Sequence, residues 1–124
     1  MPGPYLAGGI YLVPDKTLRL IPEEGREVHD ERRPVVVVTG GETNGDADWP
    51  FVLICPVSGS TRRRTRFDVQ LSKGQGGATK KCWIRVPAVQ PLMKDVLEDR
   101  TGVLDEDLLT QVQGRLAQYL GLLG

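Results

Sequence analysis

A single histidine and two cysteines among 124 residues remove whole classes of chemistry at the outset. A zinc site draws four ligands, usually Cys and His from close pairs. Here Cys55 and Cys82 stand far apart and His29 is alone, so neither a metal nor a cofactor is expected. Two cysteines do not make a secreted disulfide scaffold. Each lies inside an apolar run, and the plain expectation is two buried, reduced thiols, with a single disulfide not excluded. Long apolar runs are also missing. The longest strong one, Phe51-Val52-Leu53-Ile54-Cys55, is far short of the ~18 residues of a membrane span. The start, Met1-Pro2-Gly3-Pro4, lacks the basic residues and apolar stretch of a signal peptide. A cytoplasmic protein with no membrane partner is expected.

Net charge is absent as well, but as a sum of unlike parts. Residues 1–60 carry five Lys/Arg against nine Asp/Glu, residues 61–93 eight against one, and residues 94–124 three against six. A basic block between acidic flanks is a local electrostatic footprint that points to a polyanion or an acidic partner at one face. No basic amphipathic helix accompanies it, so a membrane surface fits less well. Apolar residues make up 40% and charged residues 26%, an ordinary globular mixture. Residues 1–124 are expected to form one domain, long enough to bury a real core.

What is present reads mostly as short strands. Gly9 to Val13 is a β-rich run stopped by Pro14, and Thr17 to Ile21 alternates in part, with Leu18 and Leu20 on one face. Pro34 to Thr39 is a continuous β-branched run, which suits a strand buried on both faces and ended by Gly40-Gly41. Residues 42–50 are loop-like and the run after Pro50 is a strand, 51–57. Arg66 to Ser72 alternates, with Phe67, Val69 and Leu71 to one side, as a half-buried antiparallel strand does. A Gly-rich turn at 73–77 leads to a strand from Cys82 to Val86. Pro91 to Glu98 suggests a short helix. At the end of the chain, Asp105 is placed as the N-cap of a helix with acidic Glu106 and Asp107 in its first turn. Leu109, Val112, Leu116 and Leu120 form its apolar stripe, and Gly121 ends it. Many short strands followed by one amphipathic helix predict a mainly β fold: a small antiparallel barrel with a C-terminal helix.

Order and spacing then carry a resemblance over most of the chain. Arg33-Pro34 leads into Val-Val-Val-Val and on to Thr39-Gly40-Gly41-Glu42-Thr43-Asn44. The run Phe51 to Pro56 leads to Val57-Ser58, and the tail runs from Gly102-Val103-Leu104-Asp105 to Tyr119-Leu120-Gly121-Leu122. In these features the chain resembles the MazF/PemK/Kid family of toxin endoribonucleases. The resemblance implies an SH3-like barrel, shared with the gyrase poison CcdB, that acts as a homodimer. It implies cleavage of single-stranded RNA by the RNA's own 2′-hydroxyl, leaving a 2′,3′-cyclic phosphate and a 5′-hydroxyl. It also implies a cognate antitoxin as partner. Such a reaction brings its own nucleophile, so the protein supplies only proton transfer and charge stabilisation. Carried over by position, Arg33 would stabilise the growing charge of the scissile phosphate and pass a proton to the leaving oxygen, and Ser58 would either hydrogen-bond a phosphate oxygen or orient the attacking hydroxyl.

Plainer readings stand beside these. Arg33 can be an ordinary surface charge, and Ser58, in a Ser-Gly-Ser turn, can simply bond its own backbone. His29 can be incidental or a spare general base, since its ordinary pKa lies near neutrality. Arg62, Arg63, Arg64 and Arg66 are either a phosphate-binding loop or a solvated one, with Lys73, Lys80, Lys81 and Arg85 able to extend the same surface. Trp83 either stacks a base or packs in the core. The chain also departs from the family. Arg26 to Arg32 replaces the usual Glu-Gln and glycines, and Gln90-Pro91 is preceded by Val89, where some relatives have an acid. A non-catalytic inhibitor of a protein target, as in CcdB, and a plain RNA-binding barrel are the alternatives.

Overall fold

The computed structural model describes residues 5–20, 31–60 and 64–122. Seven strands form one antiparallel, curled sheet: β1 (Gly9–Pro14), β2 (Arg32–Val37), β3 (Phe51–Ser58), β4 (Val69–Leu71), β5 (Cys82–Ile84), β6 (Gln90–Met93) and β7 (Arg100–Val103). A short helix α1 (Gly41–Gly45) follows β2, and α2 (Glu106–Tyr119) closes the fold. The strand order is β4-β5-β3-β2-β1-β7, with β6 paired to β3 beside that path. Strand β3 is what curls the sheet. Its first half pairs with β6, from Phe51 against Met93 to Ile54 against Gln90, and its end turns to β5, with Ser58 opposite Trp83.

The curl separates two apolar clusters, one on each side of the central strands. Ile10, Val36, Cys55, Val57, Leu71, Ile84 and Val86 lie on the side that α2 covers with Leu108 and Val112. Tyr11, Val13, Leu18, Val35, Val37, Val52, Ile54 and Leu92 form the other. Because β2 feeds both clusters, Val35, Val36 and Val37 are all fully buried, which is why its sequence is a continuous run instead of an alternation.

Several expectations shift in detail. Leu18 is buried and Leu20 packs beside it, but the strand expected at 17–21 does not form: Thr17 ends a 3-10 turn (Asp15–Thr17), residues 18–20 have no regular structure, and Ile21 lies outside the described residues. The expected helix at 91–98 is instead strand β6 followed by a 3-10 turn, Lys94–Val96. Leu92 faces the core while Pro91 and Met93 face out, and that alternation is satisfied by pairing with β3. The strand expected at 66–72 is shorter, β4 alone. Helix α2 begins as predicted: the Asp105 carboxylate accepts from the Leu108 amide at 2.8 Å. Its buried stripe, however, is Leu108 and Val112, flanked by half-buried Leu109 and Leu116, whereas Leu120 is exposed.

Backbone meets backbone where the turn between β4 and β5 lies on β7. Gly76 and Gly77 take φ of +57° and +80°, and a Cβ on Gly77 would come within 2.7 Å of the Thr101 carbonyl oxygen. A Cβ on Gly102 would run into the carbonyl of Gly76.

Candidate nucleic-acid site

Strands β2 and β3 are antiparallel, with Val35 opposite Pro56. Arg33 lies two residues before Val35 and Ser58 two residues after Pro56, so in this antiparallel pair both arrive at the same end of the sheet and on the same side of it. On its other edge Arg33 faces Val13 of β1. A groove of about 500 Å³ opens at this end, within the usual size of ligand clefts. Its floor includes Leu12, Pro34, Val57 and Cys82, and one wall is the glycine turn with Thr101. Arg33, Ser58, Lys80 and Glu31 are its charged and hydrogen-bonding residues of chemical interest.

Each has a defined support. The Arg33 Nε lies 2.9 Å from Oδ1 of Asp15, whose side chain is only 1% exposed. The Ser58 Oγ accepts a hydrogen bond from the Ser60 amide at 3.2 Å. The local turn foreseen as the plainer reading is therefore real. It leaves the hydroxyl proton free to be donated elsewhere, since a serine oxygen can accept and donate at once. Lys80 reaches back over Gly59: its Nζ lies 3.3 Å from where a Gly59 Cβ would stand, beside Ser58.

The two thiols are free and buried. Burial pushes Cys55 up to about 12, with the Asp68 charge adding to the effect. Burial also raises Cys82, against which the Lys80 ammonium works. Neither is the thiolate that a nucleophilic role needs.

Of the arginine block, the described members Arg64 and Arg66 go to different rings. Arg64 lies 4.5 Å from the centre of the Trp83 ring, with Lys81 at 5.5 Å. Trp83 is Ser58's partner across the ladder, so Arg64 sits one strand from the groove. Trp83 itself is 7% exposed under these cations, which leaves no open face for a base. Arg66 leans instead on Phe67 at 4.6 Å, and Phe67 packs edge-on against Tyr119 at the end of α2. Arg85 pairs with the buried carboxylate of Asp68, Nε to Oδ2 at 3.0 Å. His29, Arg62 and Arg63 lie outside the described residues.

Sequence reasoning missed Asp15 and Glu31 and did not separate Lys80 from the other cations. Lys80 carried a signal in its basic neighbourhood. Asp15 carried none, because its importance depends on the β1–β2 register.

No helix among the described residues is long and apolar enough to cross a membrane. No curated protein matches the chain by sequence. Solved structures share the fold. An endoribonuclease from a mycobacterial species superposes with a TM-score of 0.68 at 18% identity, over 98% of this chain and 95% of that one. A mycobacterial endoribonuclease in complex with its cognate antitoxin gives 0.66 at 16%, over 94% and 92%. MazF from Deinococcus radiodurans gives 0.64 at 22%, over 95% and 96%. The profile of the PemK-like, MazF-like toxins of type II toxin–antitoxin systems matches residues 8–120, and the chain belongs to that family.

Proposed function

We propose that this toxin, residues 1–124 acting as one domain in the cytoplasm, is a metal-independent endoribonuclease that cuts single-stranded RNA. The observation that carries the reading is the convergence of Arg33 and Ser58, from neighbouring strands, on one groove that Lys80 also lines. Two cations at the end of a cleft suit a phosphodiester. The RNA 2′-oxygen attacks the adjacent phosphorus, a new P–O2′ bond forms, and the P–O5′ bond breaks. The 2′-hydroxyl loses its proton to a base, and the departing 5′-oxygen gains one. Charge grows on the non-bridging oxygens, where the Arg33 guanidinium stabilises it and the Ser58 hydroxyl donates a hydrogen bond. Arginine holds its proton tightly, so the base is a different residue. Glu31 lines the groove, and His29 stands two residues before it. Comparing Glu31→Gln with His29→Ala assigns the role to whichever loses more.

The test is incubation of purified protein with a long RNA in EDTA, followed by mapping of the new ends. Cyclic phosphate and 5′-hydroxyl ends are expected. A substrate with deoxyribose at the cut site lacks the internal nucleophile, and its continued cleavage overturns the mechanism, as does dependence on added magnesium.

A cognate antitoxin is the expected regulator, its acidic segment folding over the basic face around Arg64, Lys80 and Lys81. The toxin is a homodimer. Trp49, Phe51, Leu53 and Met93 are 39–47% exposed on the outer side of β3 and β6, and Leu120 and Leu122 are more exposed still. Exposed apolar side chains grouped in this way suit an association surface. Light scattering that returns the monomer mass across micromolar concentrations overturns the dimer.

A further inference from the structure

We propose that Asp15 is a positioning residue for cleavage: a buried carboxylate that pins the Arg33 guanidinium by its Nε and so aims the two terminal nitrogens at the phosphate. The proposal rests on the reading of Arg33 as the charge-stabilising group.

The placement begins in the sequence. Pro14 ends β1, and Asp15 starts a 3-10 turn. That turn is locked: the Thr17 hydroxyl donates to the Pro14 carbonyl at 2.7 Å, and the Leu18 amide donates to the Asp15 carbonyl at 3.1 Å. Leu18 anchors it in the apolar cluster. The β1–β2 register puts Val13 opposite Arg33, so the residue two places beyond Val13 falls beside the Arg33 side chain. The result is an ion pair of 2.9 Å between a carboxylate 1% exposed and a guanidinium 32% exposed.

Burying a carboxylate this deeply is costly, and a pair that served stability alone would be as well replaced by apolar packing. The geometry favours another use. Of arginine's five donors, Nε is the one on the inner edge of the fork. A partner there fixes the plane of the group while leaving the outer edge for a ligand. Among the described residues, the terminal nitrogens of Arg33 have no carboxylate partner. A donor that is already oriented does not pay to be ordered when the transition state forms.

A double-mutant cycle reads the difference from a merely structural role. Asp15→Asn keeps the shape and removes the charge. It should lower the single-turnover cleavage rate about 10- to 100-fold, while affinity for RNA with deoxyribose at the cut site changes less than about threefold. On an Arg33→Ala background the same change should cost nothing more, because the residue it acts through is gone. Asp15→Glu should regain part of the rate. Asp15→Asn cleaving at the wild-type rate, or losing as much with Arg33 absent as with it present, overturns the proposal. An Arg33→Ala variant that cleaves normally brings down the underlying reading of Arg33 and this proposal with it.

Should Asp15→Asn fail to fold, proton NMR of the wild-type protein decides. The Arg33 Nε–H, assigned by its loss in Arg33→Lys, should exchange slowly with water, and the terminal N–H signals should move when the deoxyribose-containing RNA binds. A rapidly exchanging Nε–H or unmoved terminal signals overturn the proposal.

Discussion

Arg32 and Arg33 are neighbours in sequence and point to opposite sides of β2, and the two sides treat the same side chain differently. Arg32 lies 45% exposed and bridges two carboxylates through one nitrogen, Glu98 at 3.2 Å and Asp99 at 2.9 Å. Its guanidinium is raised above the ordinary value, chiefly by the hydrogen bond to Asp99 and then by that to Glu98. Arginine is charged at any working pH, so this shift changes nothing chemically. Two surface acids simply neutralise it, in water and under salt screening. Among the described residues Arg33 meets one acid, Asp15, inside the protein, on the inner edge of the fork. An exposed carboxylate consumes a cation, whereas a buried one held behind it can present that cation to a ligand. Arg64 and Arg66 are a third case, laid on aromatic rings with no acidic partner among the described residues.

The contrast can be broken most directly by removing Arg33. Loss of a positioned charge-stabilising donor costs about 100- to 1,000-fold in rate, so Arg33→Ala should be nearly inactive in single-turnover cleavage while still binding RNA. Near-normal turnover would place Arg33 with Arg32 as a surface charge. Ser58 comes next. One neutral hydrogen bond corresponds to a loss of about 2- to 10-fold on Ser58→Ala, and Ser58→Thr should keep the rate because the hydroxyl remains. A Ser58→Thr variant as slow as Ser58→Ala would show that space, and not the hydroxyl, matters there.

Lys80 and Arg64 sharpen the comparison in binding instead of rate. Each should neutralise about one phosphate, so Lys80→Ala or Arg64→Ala should reduce the slope of log affinity against log salt by about 1, equally for all RNA sequences. A changed cleavage sequence with an unchanged slope would make either residue a reader of bases. The smallest effect is expected from Arg32→Ala. Its exposed pairs carry little, and cleavage rate should stay within about twofold of wild type. A large loss in that variant would erase the distinction between the two sides of β2.

How much of this was legible in the chain depended on whether local pattern or distant register set the outcome. Val35, Val36 and Val37 announced a doubly buried strand because both sides bury them. The Asp105 cap was equally local. Strand β6 was misread as helix because the four residues Gln90 to Met93 are too few for a period to show, and its partner β3 lies forty residues away. The helix stripe was shifted by one residue at its start and one turn at its end, since Leu108 and Leu109 compete for the core and only packing chooses. At the site, Arg33 and Ser58 came through the family pattern of an arginine before proline and a hydroxyl after a strand, and both line the groove. Asp15 after Pro14 looked like any loop acid. Its meaning arises only when β1 and β2 are laid side by side.

The contact of Gly102 with Gly76 gives the groove an adjustable calibre. One wall of the cleft stands on strand β7 with no side chain between, so its height above the floor is set by two peptide planes touching. A methyl group at position 102 would act as a shim, lifting the wall without altering a single residue that faces the cleft. The calibre of the cleft is thus set in part from behind its wall, by a residue, Gly102, that does not itself line it. A search for variants with new cutting preferences has as much reason to begin behind that wall as inside the cleft.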